Sequence, residues 1–227
     1  GEVDAARSEF EAVLADAGSP PSARALAGAG LARLAEADLR LEEALATAWT
    51  AVEADPESIP ARRVRGDLAA ALGHHELAAG DLEIAALADE ADLECALRLA
   101  SSLVAILDAD PRAADRAQSA ARILAQCLRL SGERDPRALH ARGRLREILG
   151  DAGRAVEDYG LALERDPEHG PSLLARARLS TDPTSALADL ERAARAALPP
   201  PELRLERSRA LLLLGRVRSL GKGIEHL

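Results

Sequence analysis

Residues 136–167 read PRALHARGRLREILGDAGRAVEDYGLALERDP. The stretch divides into two amphipathic helical segments that meet at Gly150-Asp151 and end at Asp166-Pro167. Glycine supplies the positive φ that a tight helix-to-helix turn needs. A residue before proline is pushed out of the helical region, so Asp166 ends the second segment. With Pro136 counted as position 1, small residues stand at positions 8 (Gly143), 20 (Ala155) and 27 (Ala162), with Tyr159 at 24 and Pro167 at 32. Paired antiparallel helices approach to about 8–10 Å, and only small side chains at the crossing permit the shorter distance. Positions 7 and 11 hold Arg142 and Arg146.

The same register recurs along the chain. Small residues opening each second helix are Ala44, Ala78, Ala117, Ala155 and Ala186, at intervals of 34, 39, 38 and 31. Small residues within each first helix are Gly66, Ala100, Gly143, Ala177 and Ser208, at intervals of 34, 43, 34 and 31. The two ladders agree if five residues are inserted near Asp108–Ala114, four near Leu130–Arg134, and three removed near Ser180–Thr184. All three places are polar or turn-like, and the turn glycines Gly73, Gly150 and Gly215 keep the register. A fixed period of this length is the mark of a repeat architecture, in which each unit buries its apolar stripe against a neighbour.

Residues 136–167 resemble a tetratricopeptide repeat, a helix-turn-helix unit of about 34 residues. The resemblance implies an all-α fold, a right-handed α-solenoid of stacked antiparallel helix pairs. The expected division is an orphan helix at 3–15, helix pairs at about 23–56, 59–90, 93–130, 136–167 and 170–198, and an incomplete pair at 201–227, all in one solenoid spanning 1–227.

Composition agrees with this class. Hydrophobic residues are 48% and charged residues 30%, enough for a globular core. Only one Trp, one Tyr and one Phe occur, so the core rests on Ala, Leu and Val. The net charge of −9 is uneven: −8 over residues 1–60, −3 over 61–130 and +2 over 131–227. That distribution lacks the dense basic footprint of nucleic-acid binding. No apolar run approaches the roughly 20 residues of a membrane span. Cys95 and Cys127 have no CxxC pairing and read as small buried residues of a reducing compartment, which points to the cytoplasm. The chain contains no Met, so its native start is expected to lie elsewhere, which leaves an exported form open.

No phosphate loop, nucleophile elbow, HExxH or zinc spacing occurs. His74 and His75 are adjacent in a turn and point about 100° apart, a poor geometry for one metal. The expectation is therefore no catalytic residue, no metal and no cofactor, and a chain that is not an enzyme. In the resembled family the first helices line a concave groove. Positions 2, 5, 9 and 12 share the first-helix face opposite the packing face. Position 9 holds Arg33, Arg144, Arg178 and Arg209, position 5 adds Arg63 and His140, and position 2 adds Arg137. Arginine grips carboxylates in a charge-assisted fork, so this row predicts a groove for a protein or acidic-peptide partner. Asp67 and Ser101 interrupt it. The family's Lys/Asn carboxylate clamp is absent because the chain has no Asn. Trp49 is read as either packed or a partner-binding anchor. The apolar run Leu211–Leu214 predicts self-association through the C-terminal end. The alternative function is a peptide-sensing regulatory part of a larger transcriptional or signalling protein.

Overall fold

The computed structural model describes residues 1–195, and among these it contains eleven α-helices and no strand. They are α1 (Glu2–Ala15), α2 (Pro21–Ala37), α3 (Leu41–Ala54), α4 (Ile59–Ala71), α5 (His75–Ala88), α6 (Leu93–Ala109), α7 (Ala114–Ser131), α8 (Pro136–Ile148), α9 (Ala152–Arg165), α10 (Gly170–Leu179) and α11 (Pro183–Arg195). Contacts group the chain into two compact units, Gly1–Leu130 and Ser131–Leu227. In the first, α2 pairs with α3 and α4 with α5, and each pair packs on the next through α3–α4, α5–α6 and α2–α4. In the second, α8 pairs with α9, α10 with α11, and α9 packs on α10. The fold is an all-α solenoid of stacked helix pairs.

Local sequence sets the helix ends. Asp92, Asp135 and Asp151 accept backbone N–H groups at the starts of α6, α8 and α9, satisfying donors that the helix leaves unpaired. Pro60, Pro136 and Pro171 stand in the first turn, where a missing N–H costs nothing. The turns inside three pairs are identical in hydrogen bonding: Arg40, His74 and Asp151 each donate back to the carbonyl five residues earlier, at Ala35, Ala69 and Arg146. Gly73 and Gly150 supply the left-handed residue at φ 80° and 85°, whereas the first pair uses Leu39 at φ 61°. An L side chain pays about 1–2 kcal/mol for that conformation.

The small-residue ladder holds at Ala44, Ala78 and Ala155, all fully buried, and at Ala186. It slips at Ala117, which is only half-buried, while Ala120 is fully buried in its place. The reason is that α6 has 17 residues against 13 in α4, one turn more. The packing face of α7 is accordingly Ala120, Ile123, Leu124, Cys127 and Leu128. Cys95 and Cys127 are both buried, and neither forms a disulfide. Arg209, Leu211–Leu214 and the pair expected at 201–227 lie outside the described residues.

Candidate functional site

The arginines of the first-helix face are held by carboxylates of the same face. In the first unit Asp67, at position 9 of its repeat, is 1% exposed and gathers three guanidinium groups. Arg33 Nη2 lies 2.5 Å from its Oδ2, Arg63 Nε lies 3.2 Å from the same oxygen, and Arg98 Nε stands 3.5 Å from Oδ1. Arg33 also bonds Glu36 at 2.8 Å, Arg63 bonds Asp92, and Arg98 pairs with Glu94 at 3.4 Å. Three cations thus face four carboxylates, and the cluster carries no surplus positive charge. Asp67, which looked like a gap in the row, is its anchor.

The second unit is arranged differently. Glu147, at position 12, accepts from Arg144 Nη1 at 2.9 Å, from Arg178 Nη2 at 2.7 and 2.8 Å, and from the Tyr159 hydroxyl at 2.9 Å. Arg144 and Arg178 thus both bond Glu147, and both arginines remain partly open to water. Burial, then the carboxylate it donates to, pushes the Tyr159 phenol well above its usual range, so it stays a donor. Arg137 stands apart at the start of α8, paired with Asp135 at 2.9 Å.

His140 was expected on the open face, but its ring lies in the junction between α8, α9 and α10. Its Nδ1 is 3.2 Å from the Ser172 hydroxyl, which is also 2.8 Å from Nδ1 of His169. The ring stands 5.4 Å from that of Tyr159 and 5.5 Å from that of His169. Ser172 has one proton, so it donates to one ring and accepts from the other. Burial, reinforced by His169, Arg144 and Arg178, lowers His140 to about 3. Burial also lowers His169, against the pull of Asp166 and Asp135. The unfolded chain protonates such a group near pH 6.5, the folded chain only near 3. The stability that neutral His140 supports is therefore complete above about pH 6.5 and falls as pH drops, by up to about 1.4 kcal/mol per pH unit. Urea midpoints at pH 7.5 and 5.5 should show this fall, and His140→Gln should flatten it; an unchanged slope would place the acid sensitivity elsewhere.

A second set of ion pairs was legible only as a departure from the repeat pattern. Where position 7 is Arg, position 23 is Asp. Arg65 forks onto Asp81 at 2.6 and 2.9 Å, Arg142 onto Asp158 at 2.6 and 3.1 Å, and Arg176 onto Asp189 at 2.7 Å twice. Arg146 adds a 2.8 Å contact to Asp158, which explains the charge at position 11. In the third pair the same places hold buried Leu99 and Ile123. The first pair has Leu31 and Thr47 there, and neither brings a charge. Trp49 is both packed and open: it is 42% exposed, and one ring face lies over Arg65, with Cζ 4.1 Å from the ring centroid.

Among the described residues no group of His, Cys, Asp and Glu could hold a metal ion, and no helix is long and apolar enough to cross a membrane. No protein-family model matches the chain, and no curated protein matches it in sequence. Solved structures match in fold. A thermophilic tetratricopeptide repeat protein from Thermus thermophilus is 21% identical over 83% of this chain and 99% of its own, with a TM-score of 0.65. A tetratricopeptide repeat protein from Parabacteroides merdae is 18% identical over 97% of this chain and 88% of its own, with a TM-score of 0.67. YrrB, described as a tetratricopeptide repeat protein with an unusual peptide-binding site, is 21% identical over 82% and 92%, with a TM-score of 0.57. Helix order, register and these likenesses make the chain a helical solenoid of tetratricopeptide-like repeats.

Proposed function

We propose that the chain is a non-catalytic protein-interaction scaffold, and that the face of α8 and α10 carrying Arg144 and Arg178 takes an acidic segment of a partner. The observation that carries this reading is the Arg178 guanidinium, which meets Glu147 through Nη2 and stays about one-third open to water. Each guanidinium has five N–H donors in a fixed fork, and Glu147 engages only some of those of Arg178. Glu147 fixes the orientation of both groups, so little side-chain freedom is lost when a peptide carboxylate arrives. The Asp67 cluster, with its charge already matched, serves the packing of α2, α4 and α6.

Fluorescein-labelled peptides give the test. A Glu-rich peptide should bind, a Gln-rich peptide of equal length should not, and the complex should weaken as salt rises. Arg178→Gln should weaken it by about tenfold, the loss of one charge-assisted contact of roughly 1.4 kcal/mol. Equal binding of both peptides, or an unchanged affinity in the variant, would refute the assignment.

A further inference from the structure

Glu42, Ala46, Trp49 and Glu53 follow one another at spacings of four, three and four, which sets them along one side of α3, and all four are exposed. Trp49 is the largest exposed apolar side chain among the described residues. Its pose is fixed. Arg65 lies against one face of the ring, and Arg65 is itself held by its fork on the buried Asp81. The rest of the indole is open to water, since Ala46, one turn earlier, is too short to cover it. Glu43, on a neighbouring side of the helix, is taken by Arg40 at 2.7 Å. Glu42 and Glu53 pair with no cation among the described residues. The unit Gly1–Leu130 has 12 Arg against 23 Asp and Glu, a net charge of −11.

We infer that this side of α3 docks a basic segment of a partner protein, with the aliphatic stem of a lysine laid on the open face of Trp49 and its ammonium on Glu53. A tryptophan with one face packed and the other open offers a large contact at little further loss of side-chain freedom, which is what makes it an interface anchor. The inner face decides what the outer face takes. Arg65 is already there, and Arg62 shares its carboxylate at 3.1 Å, so a bare cation centred on the ring would meet like charge from below. A lysine avoids that conflict, because its methylene stem covers apolar surface while the charge is carried past the edge. Glu53 stands one turn, about 6 Å, along the axis from Trp49, within reach of that ammonium. Glu42 stands about 10 Å the other way and suits a second basic residue of the same segment. The excess of carboxylates over the whole unit attracts such a segment and repels an acidic one. The site uses neither Arg144 nor Arg178, so either assignment can fail without the other.

The single indole of the chain lies in the site, so its own emission reports the contact. An unlabelled Lys-rich peptide should shift the Trp49 fluorescence of the full chain to saturation, and a Gln-rich peptide of equal length should leave it unchanged. With fluorescein on the Lys-rich peptide, anisotropy gives the affinity of each variant. Trp49→Ala, confirmed as folded by circular dichroism, should weaken binding about tenfold, the loss of an anchor. Glu53→Gln should weaken it about threefold, the size of one exposed ion pair. Glu164→Gln removes an exposed carboxylate of the second unit and should change it by less than about 1.5-fold. A Trp49 emission that does not move, or that moves equally with both peptides, would overturn the inference. So would full binding by folded Trp49→Ala, or equal losses in Glu53→Gln and Glu164→Gln, which mark diffuse attraction to an acidic chain. If Trp49→Ala does not fold, the emission titration repeated in Glu53→Gln and Glu164→Gln decides the matter by itself.

Discussion

Asp158→Ala is expected to cost the second unit about 3 kcal/mol, the low end of the range for breaking a buried ion pair. Asp158 is 1% exposed and holds both Arg142 and Arg146, so its removal strands two cations. Both arginines retain some contact with water, which keeps the loss at the low end. The chain itself supplies the repair. Its third helix pair fills the same two positions with buried Leu99 and Ile123 and needs no charge. The double variant Arg142→Leu/Asp158→Ile should therefore recover most of the loss, since a well-packed apolar pair is often as stable as the ion pair it replaces. The chain carries its own probes for the measurement. The sole Trp lies in the first unit and the sole Tyr in the second, so near-ultraviolet signals from each report one unit during urea unfolding. The Tyr159 transition should move and the Trp49 transition should not. A double variant no more stable than Asp158→Ala would mean that the fork is not exchangeable for apolar packing.

Gly143→Ala is expected to cost about 2 kcal/mol, although alanine is the better helix former by up to about 1 kcal/mol. A Cβ at 143 would stand 2.5 Å from Cε1 of Tyr159, and that ring cannot withdraw. It is fully buried, and its hydroxyl is fixed on Glu147. In two other pairs position 8 is alanine opposite a side chain smaller than tyrosine, Ala100 with Leu124 and Ala177 with Leu190, while Gly66 meets Leu82. Tyr159→Leu should thus cost less in the Gly143→Ala background than alone, a coupling of about 1 kcal/mol or more by double-mutant cycle. Strictly additive losses would show that the two positions do not meet as described.

Helix pairing was readable from sequence because the crossing demands small residues at fixed spacing, and Gly143, Ala155 and Ala162 satisfy it with no competing signal. The register failed at Ala117 because alanine-rich helices offer a candidate in nearly every turn, and the extra turn of α6 shifted which one is buried. The arginine face was also readable, since residues spaced by three and four share a side of a helix. What sequence could not rank was the partner of each arginine. Asp67 looked like an interruption, yet it anchors three guanidinium groups across α2, α4 and α6. Glu147 went unnoticed because a carboxylate three residues after an arginine is ordinary on a solvated helix. His140 followed the face pattern, but Ser172 and His169 on the next repeat draw its ring inward. The one signal that could have revealed the forks was the joint presence of Arg at position 7 and Asp at position 23.

The assignment of function rests on a difference between two arginine clusters that look alike in sequence, and one comparison separates them. Affinity for a Glu-rich peptide is measured with Arg178→Gln and, in parallel, with Arg33→Gln. Arg33 is held by two carboxylates, Glu36 and Asp67, whereas Arg178 meets Glu147 through one nitrogen. Binding should fall about tenfold in the first variant and stay within about twofold in the second. Equal losses in both, or a loss in Arg33→Gln alone, would contradict a peptide site centred on Glu147.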